Sequence, residues 1–364
     1  MARPLVAQID LAALGANVDR VRTFAPGARV LAVVKADAYG HGLARVRPAL
    51  RAADGLALIE IDKAVRLRET GEERPILLLE GFFDAAELPT LAEHRLATVV
   101  HTTEQVEMLD GARLSRPLDV WLKINTGMNR LGIAPADVHK VTSRLARAPA
   151  VASLHLMMHF ARSEEPQGLV EPLARFDAAC EGLPYPRSLA NSAAVVRYGE
   201  VGGHAVRPGI VIYGATPFAD RTAAELGLAP VMTLRSKLIG VQALAAGESV
   251  GYGATFTATR PTRIGVVACG YADGYPRHAP NGTPVLVDGR RVPMAGRASM
   301  DMITVDISSL PDARVGSDVV LWGKGLPVDE VARFAGTVGY ELLCAVAPRV
   351  PFVVEGGEAS CTSS

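Results

Sequence analysis

From Leu11 to about Thr216, short apolar runs alternate with longer amphipathic stretches. The runs Val30–Val34, Leu56–Ile59, Ile76–Leu79, Thr98–Val100, Leu118–Ile124, Val151–Met158, Arg187–Leu189 and Val206–Ile212 have the length of buried strands. Helical patterns such as Asp84–His94, Pro135–Arg147 and Gly168–Gly182 lie between most of them. Pro135 suits a first helical turn, where its missing N–H has no partner to lose, and Gly182 suits a stop. About eight such repeats predict an α/β fold, a (β/α)8 TIM-type barrel. Residues 98–100 and 187–189 are the shortest runs, so the pattern supports the α/β class more firmly than it supports closure.

After Thr216 the texture changes. Val-, Thr- and Gly-rich segments follow closely: Thr233–Ala243, Arg263–Cys269, Pro284–Val287, Asp301–Ile307, Val319–Leu321 and Val346–Val354. Turn residues such as Asp288-Gly289 and Ala279-Pro280-Asn281-Gly282 separate them, which predicts a mostly antiparallel β domain. One short helix is expected at Val328–Ala335, and the small polar tail Gly356–Ser364 is expected to fray. The bend at Ala215-Thr216-Pro217 marks the change of texture. Residues 11–230 are assigned to the barrel and 231–364 to the C-terminal β domain, with 1–10 a leading strand that could pack with the latter.

Composition narrows the chemistry. A length of 364 residues fits a large barrel plus a smaller unit, and 49% hydrophobic content excludes intrinsic disorder. The 38 basic residues balance 38 acidic ones, and no basic stripe is interleaved with aromatics, so nucleic acid is not an expected partner. The segment Met1–Asp10 lacks the apolar core of a signal peptide, and no run approaches membrane-spanning length. Cys180, Cys269, Cys344 and Cys361 stand far apart without metal-ligand spacing and read as free thiols. A cytoplasmic protein acting on a small molecule, without a metal, is the expectation.

Active sites of such barrels are built at the C-terminal ends of the strands. Lys35 ends the first run and opens into Ala36-Asp37-Ala38-Tyr39-Gly40-His41-Gly42. A partly desolvated lysine is a nucleophile able to form an imine with a carbonyl; alone, a solvated strand-end lysine would be the simpler reading. Lys123 and Arg130 follow the fifth run, His159 the sixth, and Asn191 and Ser192 the seventh, while Arg207, Gly209 and Ile210 lie in the eighth. Barrels of this kind commonly bind phosphate in the loops after strands seven and eight. Their coincidence with a strand-end lysine favours a phosphorylated aldehyde cofactor.

The segment VVKADAYGHG (33–42) resembles the cofactor-lysine motif of alanine racemases, which use pyridoxal 5′-phosphate (PLP). Further matches follow in order: KINTGMNRLG (123–132), HFA (159–161), NSAA (191–194), RPGIVIYG (207–214), GYGATF (251–256), GYADGYPR (270–277), GRASMDM (296–302) and YELLC (340–344). The resemblance implies interconversion of L- and D-alanine, supplying D-alanine for cell-wall peptidoglycan, by a homodimer whose active site is shared between subunits. Racemisation needs a base on each face of the substrate Cα. The resemblance assigns these to Lys35, which also anchors PLP, and to Tyr252 from the partner subunit. Tyrosine ionises with difficulty at neutral pH, so neighbours must favour its phenolate. The resemblance points to His159 for that contact, linked onward to Arg207, which is assigned to the pyridine nitrogen. A permanent cation there keeps that nitrogen unprotonated and weakens the electron sink.

By the same resemblance, Arg130 steers the cofactor's phenolic oxygen and the substrate carboxylate. Lys123 matches a lysine often carbamylated, which would relieve its repulsion with Arg130; an unmodified Lys123 with a bound anion is the alternative. Tyr39, Asn191, Ser192, the Gly209 and Ile210 backbone and Tyr340 are assigned to the cofactor, mainly its phosphate. Met300 and Asp301 would come from the partner, Met300 by its backbone amide to the substrate carboxylate, and Tyr271 would line the access channel. Asn125 stands where an aspartate is usual, removing a negative charge beside Lys123 and Arg130. Ser299 stands where cysteine or another small residue is frequent. Competing readings are a broader-specificity racemase, an amino-acid decarboxylase and a non-catalytic PLP carrier. A bare carrier would not need the C-terminal domain, and Tyr252 with Arg207 argues against decarboxylation.

Overall fold

The computed structural model describes residues 3–356, so Cys361 and the tail beyond Gly356 lie outside the described residues. The chain forms two compact units. A β unit gathers the described residues of Met1–Asn17, Asp37–Ala49 and Tyr213–Ser364, and a barrel unit holds Val18–Ala36 and Leu50–Ile212.

Strand β1 (Val6–Asp10) belongs to the β unit. The barrel unit carries β2 (Arg29–Val33), β3 (Gly55–Leu58), β4 (Ile76–Leu78), β5 (Ala97–Val100), β6 (Leu118–Lys123), β7 (Val151–Met157), β8 (Arg187–Ser188) and β9 (Ala205–Val206). They pair in parallel in the order β8-β7-β6-β5-β4-β3-β2-β9. The two ends of this sheet meet where Arg207 N donates to Ala190 O at 2.9 Å and Asn191 bridges Arg207 in parallel. Strands β3 and β4 are buried at every position, as a parallel sheet covered on both faces requires. The helix after β5, Thr103–Gly111, starts with a capping box between Thr102 and Gln105.

Seven of the expected runs fall on strands β2 to β8. The eighth differs: only Ala205–Val206 is strand, and Ile210–Tyr213 is a 3-10 turn. Pro208 has no N–H for a ladder, so pairing stops there. The apolar residues beyond it are buried in a turn instead.

The β unit continues with β10 (Met232–Leu244), β11 (Ser249–Val250), β12 (Phe256–Thr257), β13 (Thr262–Val267), β14 (Pro284–Val287), β15 (Arg290–Pro293), β16 (Ile303–Asp306), β17 (Asp318–Trp322) and β18 (Phe352–Glu355). Its main sheet runs β15-β14-β17-β10-β1-β18, with β13 joining β10 to β16. All these pairs are antiparallel except β1 with β18. Asp288 and Gly289, at φ 47° and 76°, turn β14 into β15 as a two-residue hairpin demands. The expected strand Val346–Val354 shrinks to β18, because Pro348 and Pro351 interrupt its donors. The helix Val328–Phe334 lies where expected, whereas β11, β12, β15 and the helix Gly339–Cys344 were not foreseen. No helix among the described residues is long and apolar enough to cross a membrane.

Candidate active site

Lys35 stands just beyond β2. Val33 N donates to Pro208 O (2.9 Å) and Val34 N to Ala57 O (2.8 Å), which pins the residues before it on both sides. The chain then winds left-handed: φ is 51°, 53°, 58° and 52° at Ala36, Asp37, Ala38 and Tyr39, and 78° at Gly40. Each non-glycine residue there costs roughly 1–2 kcal/mol, so the surroundings must impose the turn. Gly42 N donates to Asp37 O (2.9 Å), His41 N to Ala38 O (3.1 Å) and Leu43 N to Asp37 Oδ1 (2.9 Å). The buried His41 places Nδ1 3.0 Å from Ala38 O and 2.9 Å from Tyr39 O, so Nδ1 carries its proton. Burial pushes this imidazole down to about 4.

Four strand ends of the barrel unit supply a cluster of basic side chains. Lys123, the last residue of β6, is buried, and burial followed by Arg207 and Arg130 pushes its amine down to about 8. Glu80 opposes them, and Lys35 adds to the repulsion. His159, beyond β7, is pushed down to about 3, first by burial and then by Arg207, Lys123, Arg130 and Lys35. It is therefore a neutral imidazole. Arg207 is 4% exposed. Its Nη1 donates to Ser188 O (2.7 Å) and Ser188 Oγ (2.5 Å), and its Nη2 to Met158 O (2.6 Å). Those acceptors occupy both terminal nitrogens and leave the Nε–H without an acceptor among the described residues. Burial lowers this guanidinium to about 10.

The loops around the cluster are tied by short polar side chains. Asn191 caps the helix Ser192–Arg197 by accepting from Ala194 N (3.1 Å), and it also accepts from Ser163 Oγ (2.8 Å). Ser192 Oγ accepts from Gly209 N (2.8 Å), which joins the loops after β8 and β9, and Ile210 opens the 3-10 turn that follows. Asn125 Oδ1 accepts from Gly127 N and Asn129 N, both at 3.1 Å, while its Nδ2 donates to Asn129 Oδ1 at 3.1 Å. An aspartate could take the first two bonds but not give the third. The asparagine thus closes the loop that carries the exposed Arg130.

The β unit holds the remaining candidates in two groups. The Tyr39 ring stacks 4.8 Å from Tyr213 and lies 5.9 Å from Tyr340, and Tyr213 also stacks on His41 at 4.7 Å. Separately, Tyr252, Tyr271 and Met300 are 70%, 40% and 53% exposed. Tyr252 sits between Gly251 and Gly253, whose φ values of 76° and 72° let the backbone swing its ring outward. Asp301 is held by Arg349 at 2.6 Å. Sequence reading gave no role to Tyr213, His41, Glu80 or Arg349. The first two lie inside quoted motifs, while nothing local marks Glu80 or Arg349.

A parallel barrel with a lysine, an arginine, a histidine and a second lysine at its strand ends, joined in one chain to a β unit, defines an enzyme of the barrel-plus-β-domain class. Comparison with known proteins supplies the family. Residues 9–217 match the model of the alanine racemase N-terminal domain, and residues 231–354 that of its C-terminal domain. The chain is 56% identical to a catabolic alanine racemase of Klebsiella aerogenes over 97% of its own length and 99% of the relative's. It is 55% identical to an alanine racemase of Nitrosospira multiformis, covering 96% and 99%. The crystal structure of the biosynthetic alanine racemase from Pseudomonas aeruginosa superposes with a TM-score of 0.94 at 50% identity, covering 97% of this chain and 100% of that one. The chain belongs to the alanine racemase family, and it is an isomerase acting on amino acids.

Proposed function

We propose that this enzyme interconverts L- and D-alanine with PLP bound at Lys35, using Lys35 and Tyr252 as opposed bases. The observation that carries the reading is Arg207. Its terminal nitrogens are committed to Ser188 and Met158, and its Nε–H is left to meet a heteroaromatic nitrogen. That unpartnered donor, beside a strand-end lysine, fits PLP. When bound, PLP supplies the electron sink that acidifies the substrate Cα–H.

Lys35 Nζ takes the proton from one face of Cα, and Tyr252 Oη returns one on the other. His159 is neutral, so it can donate one N–H to the tyrosine oxygen while its other nitrogen accepts. Burial, and then repulsion from Arg207, hold that imidazole neutral. Arg130 binds the substrate carboxylate, Met300 by its backbone amide and Asp301 contribute from the partner subunit, and Tyr271 lines the approach. Asn191, Ser192, the Ile210 amide, Tyr39 and Tyr340 would hold the cofactor and its phosphate, and the Gly209 amide would join them by exchanging its bond to Ser192 Oγ for the phosphate. Lys123, pushed down to about 8, has a neutral fraction able to add carbon dioxide and release a proton, and the resulting carbamate anion would offset Arg207 and Arg130. We assign the enzyme to the cytoplasm as a homodimer, with D-alanine for peptidoglycan as the product.

Incubation of the PLP-loaded protein with single-enantiomer L-alanine, followed by chiral chromatography, tests the reaction. Both enantiomers should appear. Retained optical purity of L-alanine, with lysine or serine racemised instead, would replace alanine as the substrate.

A further inference from the structure

The loop that presents Met300 is gripped by two arginines with no assigned role. Asp273, whose side chain is fully buried, accepts from Arg3 Nη1 at 2.5 Å, Arg3 Nη2 at 2.8 Å and Arg349 Nε at 2.7 Å. Gly270 N completes its shell at 2.8 Å. The same arginines then reach Asp301: Arg3 Nη2 donates to its backbone oxygen (2.5 Å) and Arg349 Nη2 to its carboxylate (2.6 Å). One carboxylate therefore orients two guanidinium groups, and both hold the residue after Met300. On the other side, Tyr271 N donates to Ser299 O and Ala272 N to Met300 O, both at 3.0 Å. A Cβ at Gly270 would lie 2.4 Å from both of those oxygens, so the two loops touch backbone to backbone. Amid these bonds the Met300 N–H meets no acceptor among the described residues.

We propose that Arg3 and Arg349 are positioning residues that, through Asp273 and Asp301, aim the free Met300 N–H at the substrate carboxylate. This rests on the reading above, in which Met300 binds that carboxylate. A backbone donor binds well only if its peptide plane is fixed beforehand, because ordering it on binding costs affinity. The bonds on Met300 O and on Asp301 fix that plane from both sides. A charge-assisted, bidentate grip is the strongest available from side chains. The interaction is present in ground and transition states alike, so its loss raises KM more than it lowers kcat.

The test uses PLP-loaded wild-type, Arg349→Ala, Arg349→Lys and Arg3→Ala proteins. Propionate, which keeps the carboxylate and methyl of alanine without its amine, serves as a binding probe. Expected are a KM for alanine and a propionate dissociation constant each raised about tenfold in the alanine variants, with kcat changed less than threefold (about). Amide exchange in residues 299–302 should accelerate, and Arg349→Lys should recover part of the loss. If Arg349→Ala fails to fold, Arg349→Lys and Arg3→Ala give the same KM-against-kcat comparison. Faster exchange with unchanged KM and propionate affinity would make the network a structural anchor only and overturn the inference. A wild-type protein that does not racemise alanine overturns the reading beneath it. A wild type that does, with variants of unaltered KM, overturns the positioning role alone.

Discussion

At the scale of single residues, two histidines are held uncharged, each first by burial. Cations add to the effect of burial at His159, whereas His41 has Nδ1 donating to carbonyls and Nε2 facing no acceptor among the described residues. Protonating His41 would place a new N–H on Nε2, which is buried with no acceptor among the described residues. In the unfolded chain a histidine binds its proton near pH 6.5, against about 4 for His41 in the fold. Between these values the unfolded state holds more protons, so stability rises with pH: the contribution is complete above about 6.5 and lost as pH falls toward 4. Its size is on the order of 3 kcal/mol. Denaturation midpoints of wild type and His41→Asn between pH 7 and 4.5 (roughly) should show a shallower slope in the variant, since asparagine keeps a donor but does not titrate. Equal slopes would exclude His41 as the source. The candidates at strand ends, Lys35, Lys123, His159 and Arg207, were legible because a polar residue ending an apolar run needs a reason. Glu80 and Arg349 were not, because their roles come from neighbours remote in sequence.

At the scale of elements, the turn after β2 is where sequence reading had least purchase. Lys35-Ala36-Asp37-Ala38-Tyr39 contains no glycine, and nothing in it signals four consecutive left-handed residues. Gly40 is the visible clue, and the structure shows a second constraint on it. At φ +78° an added Cβ would lie 2.2 Å from Leu343 O, in the helix that carries Tyr340. Gly27 has nearly the same φ, +80°, with nothing within 4 Å of its Cβ position. Gly27→Ala should therefore cost only the backbone penalty, roughly 1–2 kcal/mol. Gly40→Ala should cost that plus overlap with a backbone oxygen, a further ~1–3 kcal/mol. Urea unfolding of the pair measures the difference, and equal losses would show that the Leu343 approach is not enforced. The expected eighth strand teaches the same lesson from the other side. An apolar run reports burial, and only Pro208 told that this one could not continue as a ladder.

At the scale of the whole molecule, the question is whether one chain holds a complete site. Tyr252, Tyr271 and Met300 are exposed on the β unit, although each carries an assignment to the substrate. Exposure of the tyrosine proposed as a base makes sense if it serves a neighbouring subunit, which is the shared-site arrangement proposed above. The arrangement has a consequence that no single variant can show. Lys35→Ala and Tyr252→Phe should each be nearly inactive alone as homodimers. In a mixed dimer, the Lys35 of one subunit and the Tyr252 of the other are both intact at one of the two sites, while the second site lacks both. Random pairing of equal amounts makes about half of the dimers mixed, so co-expression should restore about a quarter of wild-type activity. With both bases in the same chain, every site of every dimer lacks one of them. Activity in the mixture would then stay at the level of the variants, and Tyr252 would belong to its own subunit's lysine.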